Sequence, residues 1–431
     1  MKFYIETYGC QMNIADSELV TTILRTNGYH EAATIDDADI IIFNTCSVRQ
    51  HAEERVLGRI ANEKSRKRTK PTLRIGVIGC MAQRLQEELM DMQDGIDFVV
   101  GVDQYSEIPH ILSSETETIS TDFNKEENYN DIYPTRQGKL NAFVTIMRGC
   151  NNFCSYCIVP YTRGRERSRP ISDILTEVQQ AGKNGYPDIT LLGQNVNSYD
   201  YEGVKFPDLI REINKIDSIK RIRFVTSHPK DLSDDLILAM KESDKVCHNI
   251  HFAMQSGNSD ILKRMNRGYT AEHFYGRILK LRELMPDIAI TTDVIAGFPG
   301  ETEEQFMDTY NLMKKIEFDY AFMYKYSPRK GTKAAEFTDQ VPEAIRLERL
   351  QRLIVMQRDI TLRKYQKMIG RIVVVLVENI SKKSDDEVSG KTDDFKICVF
   401  PGSRDLIGKF VKVKVTDATA GTLIGVKYEQ D

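Results

Sequence analysis

Met147-Arg148-Gly149-Cys150-Asn151-Asn152-Phe153-Cys154-Ser155-Tyr156-Cys157 decides how the rest of the chain is read. Three cysteines fall within eight residues, in Cys-x3-Cys-x2-Cys spacing, directly after an apolar strand pattern over residues 142–147. Thiols packed this closely on a loop can wrap three corners of a cubane [4Fe–4S] cluster and leave the fourth iron without a protein ligand. A zinc site is the competing reading. Zinc knuckles and ribbons bring a fourth Cys or His at short spacing, and none follows within the next fifty residues.

Downstream of this loop, strand and helix patterns alternate. Strands are expected at 142–147, 189–193, 221–227, 249–254, 288–295 and 320–326, separated by helical patterns. Six such units form a partial, TIM-like β/α barrel. A long amphipathic helix over about 342–368 closes this part. Upstream, residues 2–8, 40–44, 74–78 and 98–100 are strand patterns alternating with helical ones, the rhythm of an open parallel α/β sheet. From Gly370 the pattern turns β-rich, with strands at 371–377, 395–400, 409–415 and 422–428, a length suited to a small five-strand, OB-like barrel. The expected units are 1–115, a polar linker over 116–137, 138–368 and 369–431.

Cys10, Cys46 and Cys80 form a second set. Each directly follows a strand, and they are one βα unit apart. Parallel strands end on one edge of their sheet, where open α/β sheets bind ligands. Three thiols distant in sequence therefore meet there and can share a second cluster. Buried core cysteines and a structural zinc, with His51 nearest as a fourth ligand, are the alternatives. Cys247 and Cys398 lie outside both sets and read as core residues.

The chain has 431 residues and a net charge of −4, so nucleic-acid binding is not advertised globally. Two local runs are basic, Arg59–Arg74 and Arg163–Arg169. Each is either a solvated face or a phosphate-binding run. No apolar run is long enough to cross a membrane. The opening MKFYIETYGC has no long apolar segment with a cleavage site, so a cytoplasmic location with reduced cysteines is expected.

The Cys150–Cys157 loop, with Tyr156 before its last cysteine, resembles the signature of radical S-adenosylmethionine (SAM) proteins. Other segments resemble that superfamily's cofactor contacts in the expected order. Gln194 and Asn195 in LGQN fall where the amino group is held, and Gln255 in MQSG where the ribose is contacted. Arg267 is similar to a carboxylate-binding arginine, and Ile295 in DVIAGFPGE to the strand beside adenine.

Two cysteine sets in this order resemble the methylthiotransferases. The flanks Gly9-Cys10-Gln11-Met12-Asn13, Asn44-Thr45-Cys46-Ser47-Val48-Arg49 and Gly79-Cys80-Met81-Ala82-Gln83 are similar to the MiaB branch. That resemblance implies methylthiolation at C2 of N6-dimethylallyladenosine at position 37 of tRNA. Branches acting on threonylcarbamoyladenosine or on a ribosomal protein are the rival substrates, and a non-catalytic zinc and RNA-binding protein is the rival class. The resemblance implies two [4Fe–4S] clusters, on Cys150, Cys154 and Cys157 and on Cys10, Cys46 and Cys80. One SAM donates the methyl group and another the 5′-deoxyadenosyl radical. The implied partners are the tRNA anticodon loop, an external electron donor and a sulfur source for the auxiliary cluster.

The C-terminal barrel resembles a TRAM domain, an RNA-binding module. Its RNA-facing loop would be Gly390–Lys396, with Lys391 where that family more often carries arginine. The substrate-RNA candidates are Arg163, Arg165, Arg167, Phe395 and Lys396.

Overall fold

The computed structural model describes residues 1–47, 50–114, 116–136 and 140–429, without the side chains of residues 50–52. Val48 and Arg49 of the Cys46 flank, the His51 side chain and the expected boundary at residues 137–138 lie outside the described residues.

The N-terminal sheet is parallel throughout and has six strands, in the order His30–Glu31, Lys2–Tyr8, Ile40–Thr45, Arg74–Gly79, Phe98–Val100 and Thr118–Ser120. Its central strand IIIFNT is buried along its whole length. Ile40 and Ile42 enter one core with Leu19, Val20 and Tyr105. Ile41 and Phe43 enter the other with Val56, Ile60 and Met81. A strand covered by helices on both faces reads as a continuous apolar run for this reason.

The stretch expected as a linker is not a free tether. Thr118–Ser120 pairs with Phe98–Val100 as the edge strand. Tyr129, only 3% exposed, stacks on Tyr105 with ring centroids 5.6 Å apart. Burying one aromatic ring suffices to anchor a segment whose composition is otherwise polar.

The central part has the six expected parallel strands: Asn141–Thr145, Asp188–Leu192, Arg221–Phe224, Asn249–His251, Ala289–Ala296 and Tyr320–Lys325. They form two three-stranded sheets joined by parallel bridges between Ile222 and Val246 and between Ser227 and Phe252. The result is an open, partial barrel in sequence order. The helix Glu343–Gln366 covers the last strand through Leu353, Met356 and Ile360.

The C-terminal part is a closed five-strand barrel, Ile372–Ile380, Glu387–Thr392, Ile397–Pro401, Leu423–Lys427 and Phe410–Ala418 in spatial order. Glu387–Thr392 is a strand where a loop was expected from residue 390, so only Asp393–Lys396 form the turn. Cys398 and Cys247 are buried core residues, as expected.

Candidate functional site

Cys10, Cys46 and Cys80 follow the ends of three adjacent strands, and the motif residues around them hold those ends together. Asn13 Nδ2 donates to Asn44 Oδ1 (3.0 Å) and to the Thr45 carbonyl (3.2 Å). Asn44 Nδ2 donates back to the Asn13 carbonyl (2.8 Å), and Thr45 Oγ1 to the Ile78 carbonyl (2.9 Å). Every one of these groups is buried, so the amides must be satisfied within the protein, and Asn44 Nδ2 also donates to Ser17 Oγ (2.9 Å) while Asn13 Oδ1 accepts from the Cys10 N–H (3.3 Å). Gly79 has φ +91°, and a Cβ there would lie 2.5 Å from Asn44 Oδ1 and 2.7 Å from the Thr45 carbonyl oxygen. No residue with a side chain delivers Cys80 to this edge.

Cys10 is exposed, whereas Cys46 and Cys80 are buried. A hydrogen bond with Cys46 lowers the Cys10 thiol to about 6, against the desolvation of a sulfur hemmed in by protein and with help from the Arg163 charge. Burial pushes the Cys80 thiol up despite the same arginine.

Arg163 comes from the central domain. Its Nε donates to Cys80 Sγ (3.2 Å) and its Nη2 to Asp16 Oδ2 (2.7 Å). Asp16, fully buried in the helix Gln11–Thr26, also accepts from Arg148 Nη1 (3.0 Å) and from the Tyr105 hydroxyl (3.3 Å). Arg148 lies 4.8 Å over the Tyr129 ring, two residues before Cys150. Burial opposes the charge on Asp16, yet Arg163 and Arg148 hold its carboxyl below the ordinary range. The two cysteine sets are thus tied through one buried ion cluster. Arg163, a candidate RNA contact, is only 3% exposed, with its Nε and Nη2 taken by Cys80 and Asp16.

The second cysteine loop is anchored by the segment that carries Arg267. Ser155 N–H donates to the Met265 carbonyl (3.0 Å), and Asn266 Nδ2 to the carbonyls of Asn152 (3.1 Å) and Phe153 (3.0 Å). Arg267, 5% exposed, donates from Nη1 to Cys154 Sγ (3.3 Å), from Nη2 to the Ala253 carbonyl (3.1 Å) and from Nε to the Tyr269 hydroxyl (3.3 Å). Gly149 has φ +75°, and a Cβ there would lie 2.0 Å from the Arg165 carbonyl oxygen. Burial, then the nearby Cys154, pushes the Cys157 thiol up to about 12. Among the described residues, no group of three or more His, Cys, Asp or Glu could hold a single metal ion. Three thiols on an eight-residue loop, with a buried guanidinium on one sulfur, suit a larger thiolate-held cluster.

The expected SAM residues ring the same strand ends. Gln194 Oε1 is buried without a hydrogen-bond partner among the described residues. Asn195 is spent within the protein, donating to Asp231 Oδ2 (2.7 Å) and accepting from the His228 N–H (3.2 Å). Gln255 holds φ +66°, a conformation costly for a residue with a side chain. Tyr156 packs edge-on to Phe298 with centroids 6.4 Å apart, and Ile295 joins the same cluster. His228 was not singled out from the sequence. Burial, then the Arg267 and Lys230 charges, lowers it to about 2, so its ring is neutral, and Nε2 has no partner among the described residues. On the outer side of the cysteine loop lies a cavity of about 510 Å³ whose lining includes Phe153, Cys154, Tyr161, Lys263 and Lys333. None of the expected SAM residues lines it.

The remaining RNA candidates divide. Arg167 forms a two-pronged pair with Asp103 at 2.8 Å on each arm. Arg165 alone of the three is exposed, stacked 4.2 Å over the Phe153 ring. In the first basic run, Arg59, Lys67 and Lys70 pair with Glu6, Asp97 and Asp39. Lys396 is 5% exposed and paired with Asp394 and, at 3.3 Å, with Asp319. The turn expected to face RNA instead docks on the base of the central barrel. Arg223 donates to the carbonyls of Thr392 (2.9 Å) and Asp393 (3.1 Å), and lies 4.9 Å over Phe395, which is 42% exposed. Arg221 donates to the carbonyls of Lys391 (2.9 Å) and Val374 (2.7 Å).

A partial β/α barrel with a Cys-x3-Cys-x2-Cys loop after its first strand is the architecture of a radical SAM protein, and residues 144–313 match the Radical SAM superfamily. Residues 2–101 match the family described as Uncharacterized protein family UPF0004, and residues 366–427 the TRAM domain. The radical SAM methyltransferase TsrM from Kitasatospora setae, solved with cobalamin and a [4Fe-4S] cluster bound, shares the fold with a TM-score of 0.61 over 78% of this chain and 77% of that one, at 14% identity.

The chain is 46% identical over 436 residues to the tRNA-2-methylthio-N(6)-dimethylallyladenosine synthase of Thermoanaerobacter sp. (strain X514), covering 99% of this chain and 93% of that protein. It is 47% identical to the synthase of Caldicellulosiruptor saccharolyticus, over 98% and 92% of the two chains. Against that of Parabacteroides distasonis it is 44% identical, over 100% and 96%. The chain belongs to the tRNA-2-methylthio-N(6)-dimethylallyladenosine synthase family, the MiaB-type methylthiotransferases.

Proposed function

We propose that the chain attaches a methylthio group to C2 of N6-dimethylallyladenosine at position 37 of tRNA. The observation that carries this reading is the pair of thiol sets joined across one buried ion cluster, in a chain that matches this family over nearly its whole length. An aromatic C–H bond at C2 offers no proton that a side chain can usefully remove, so acid–base groups alone do not suffice. The two [4Fe–4S] clusters supply, when bound, the electron that splits SAM into methionine and a 5′-deoxyadenosyl radical, and the sulfur that the purine receives.

The protein's own residues hold and arrange. Cys150, Cys154 and Cys157 hold the first cluster on a loop fixed by Ser155 and Asn266. Cys10, Cys46 and Cys80 hold the second at the sheet edge. Arg267 fixes Cys154 from the barrel side and presents a buried positive charge to a carboxylate. Gln194 offers an uncommitted acceptor to an amino group. Gln255, Tyr156 and Ile295 complete the cofactor's cradle, with Asn195 acting through Asp231 to shape it.

We assign residues 1–115, 138–368 and 369–431 to three functional units. Arg165 and the half-exposed Phe395 remain as RNA contacts. An external electron donor and a sulfur source that rebuilds the second cluster complete the cycle. No helix among the described residues is long and apolar enough to cross a membrane. We place the reaction in the reducing cytoplasm, in keeping with eight free cysteines.

The test is mass spectrometry of nucleosides from tRNA carrying the dimethylallyl group, after anaerobic incubation with reconstituted protein, SAM and a reductant. A methylthio mass gain on that adenosine is expected. Formation of 5′-deoxyadenosine with no gain on this tRNA, but with gain on threonylcarbamoyladenosine tRNA or the ribosomal protein, would overturn the substrate.

A further inference from the structure

The last strand of the partial barrel, Tyr320–Lys325, carries three exposed aromatic rings in a row. Tyr320 is 47% exposed, Phe322 44% and Tyr324 42%. Between them, Ala321 and Met323 turn the other way, into the core beneath the Glu343–Gln366 helix. The ladder register sets Tyr320 opposite Thr291, Phe322 opposite Asp293 and Tyr324 opposite Ile295. Residues directly opposite share a face, so all six line the same wall. His251 joins it, with Nδ1 3.0 Å from Thr291 Oγ1, Nε2 3.0 Å from Asp293 Oδ2 and its ring 5.9 Å from Phe322.

Both ends of this wall touch machinery already described. Asp319, immediately before Tyr320, is the residue on which Lys396 of the C-terminal barrel lands. Tyr324 stands opposite Ile295, at the end of the barrel where the SAM residues gather. Four residue steps separate Tyr320 from Tyr324, about 13 Å at the rise of a parallel strand. Rings this exposed along one wall of a folded protein mark a face that a ligand or partner uses.

We propose that Tyr320, Phe322 and Tyr324 are the stacking wall for the target nucleotide, a purine drawn out of the RNA stack together with its five-carbon N6 chain. The assignment rests on the tRNA reading given above. C2 lies on the edge of the purine, and an enclosed site at the strand ends of a barrel reaches that edge once the base is drawn away from its neighbours, as in other enzymes that act on a base. Aromatic side chains receive an extruded base by its flat face whatever its sequence context. The branched alkenyl chain adds apolar surface, which Phe322 can cover and a polar wall would leave in water. Asp293, held through Oδ2 by His251, supplies a carboxylate for the base edge at the middle of the wall.

The experiment measures affinity for two anticodon stem-loops, one carrying N6-dimethylallyladenosine and one plain adenosine, by fluorescence anisotropy with the reconstituted full chain. Phe322→Ala and Tyr324→Ala should each weaken binding of the prenylated stem-loop about fivefold or more and narrow its advantage over the plain one. Phe322→Tyr should restore both. Iron content, read alongside, identifies variants that have lost the fold. Unchanged affinity and unchanged preference in both alanine variants, with full iron, would overturn the wall. So would a wild-type protein that binds the two stem-loops equally. Product formation by wild type tests the tRNA reading separately, so either idea can fail alone.

Discussion

Removal of the Asp16 carboxylate should cost more than any other single change at the domain boundary. The side chain is fully buried between Arg148 and Arg163, which are 4% and 3% exposed. In Asp16→Ala the two guanidiniums lose their shared counter-ion at 3.0 and 2.7 Å and face each other in a dry site. Breaking one buried pair by deleting a partner costs about 3–5 kcal/mol. Here one deletion strands two charges, so the loss should reach the upper end of that range. At about 2–4 °C per kcal/mol for a domain of 150–250 residues, the apparent melting temperature should fall by about 10 °C or more. Differential scanning calorimetry of the apoprotein provides the readout. The combined variant Asp16→Leu, Arg148→Met, Arg163→Met should recover most of the loss, because it removes the stranded charge as well as the pair. A fall of under about 2 °C in Asp16→Ala would refute the reasoning, since a pair so weak carries no domain docking.

Acid should loosen the same cluster. The folded-state carboxyl of Asp16 is depressed, so its stabilisation is complete above the ordinary carboxylate value near 4 and is lost as pH falls through the lower folded value; urea midpoints from pH 6 down to 3 should show the decline. Arg223→Ala should free the C-terminal barrel, because two carbonyls, Asp188 and the Phe395 ring lose their common partner; a separate early transition in the melt would register it. Gly149→Ala should displace the Cys150 loop, since its Cβ would sit 2.0 Å from the Arg165 carbonyl oxygen, and iron loading should drop from about eight atoms toward about four. Arg163→Gln should shift the reduction potential of the Cys10–Cys46–Cys80 cluster, because a charged donor to one sulfur is lost; an EPR titration in a Cys150→Ala, Cys154→Ala, Cys157→Ala background isolates that signal.

The legible features of the fold were those with local causes. Strands such as Ile40–Thr45 announce themselves because both faces are buried, and the cysteines mark the sheet edge because each follows such a run. Thr118–Ser120 was read as linker because three half-buried residues in a polar stretch carry no periodicity. Gly390–Thr392 reads as loop in the sequence because the inward residues of the strand Glu387–Thr392 alternate with Ser389 and Lys391, which hide the pattern behind polarity.

At the site, the sequence is hardest to read where a charge has a distant partner. Arg163 and Arg167 look like a phosphate-binding run until Asp16, 147 residues away, and Asp103, 64 residues away, are brought to them. Lys396 is hard to read for the same reason, since Asp319 reaches it only when the two barrels dock. The strand character of residues 320–326 was plain in sequence. Which of its faces stays open is a property of the unclosed barrel, and only the three-dimensional arrangement exposes it.

The two thiol sets divide the labour, and the Cys46→Ala variant separates their roles. Reconstituted Cys46→Ala would be given SAM, reductant and prenylated tRNA, and both 5′-deoxyadenosine and the methylthiolated nucleoside would be quantified. Continued cleavage of SAM with no methylthiolated product is expected. Full product formation from Cys46→Ala would contradict it, because the sulfur would then come from somewhere other than the sheet edge.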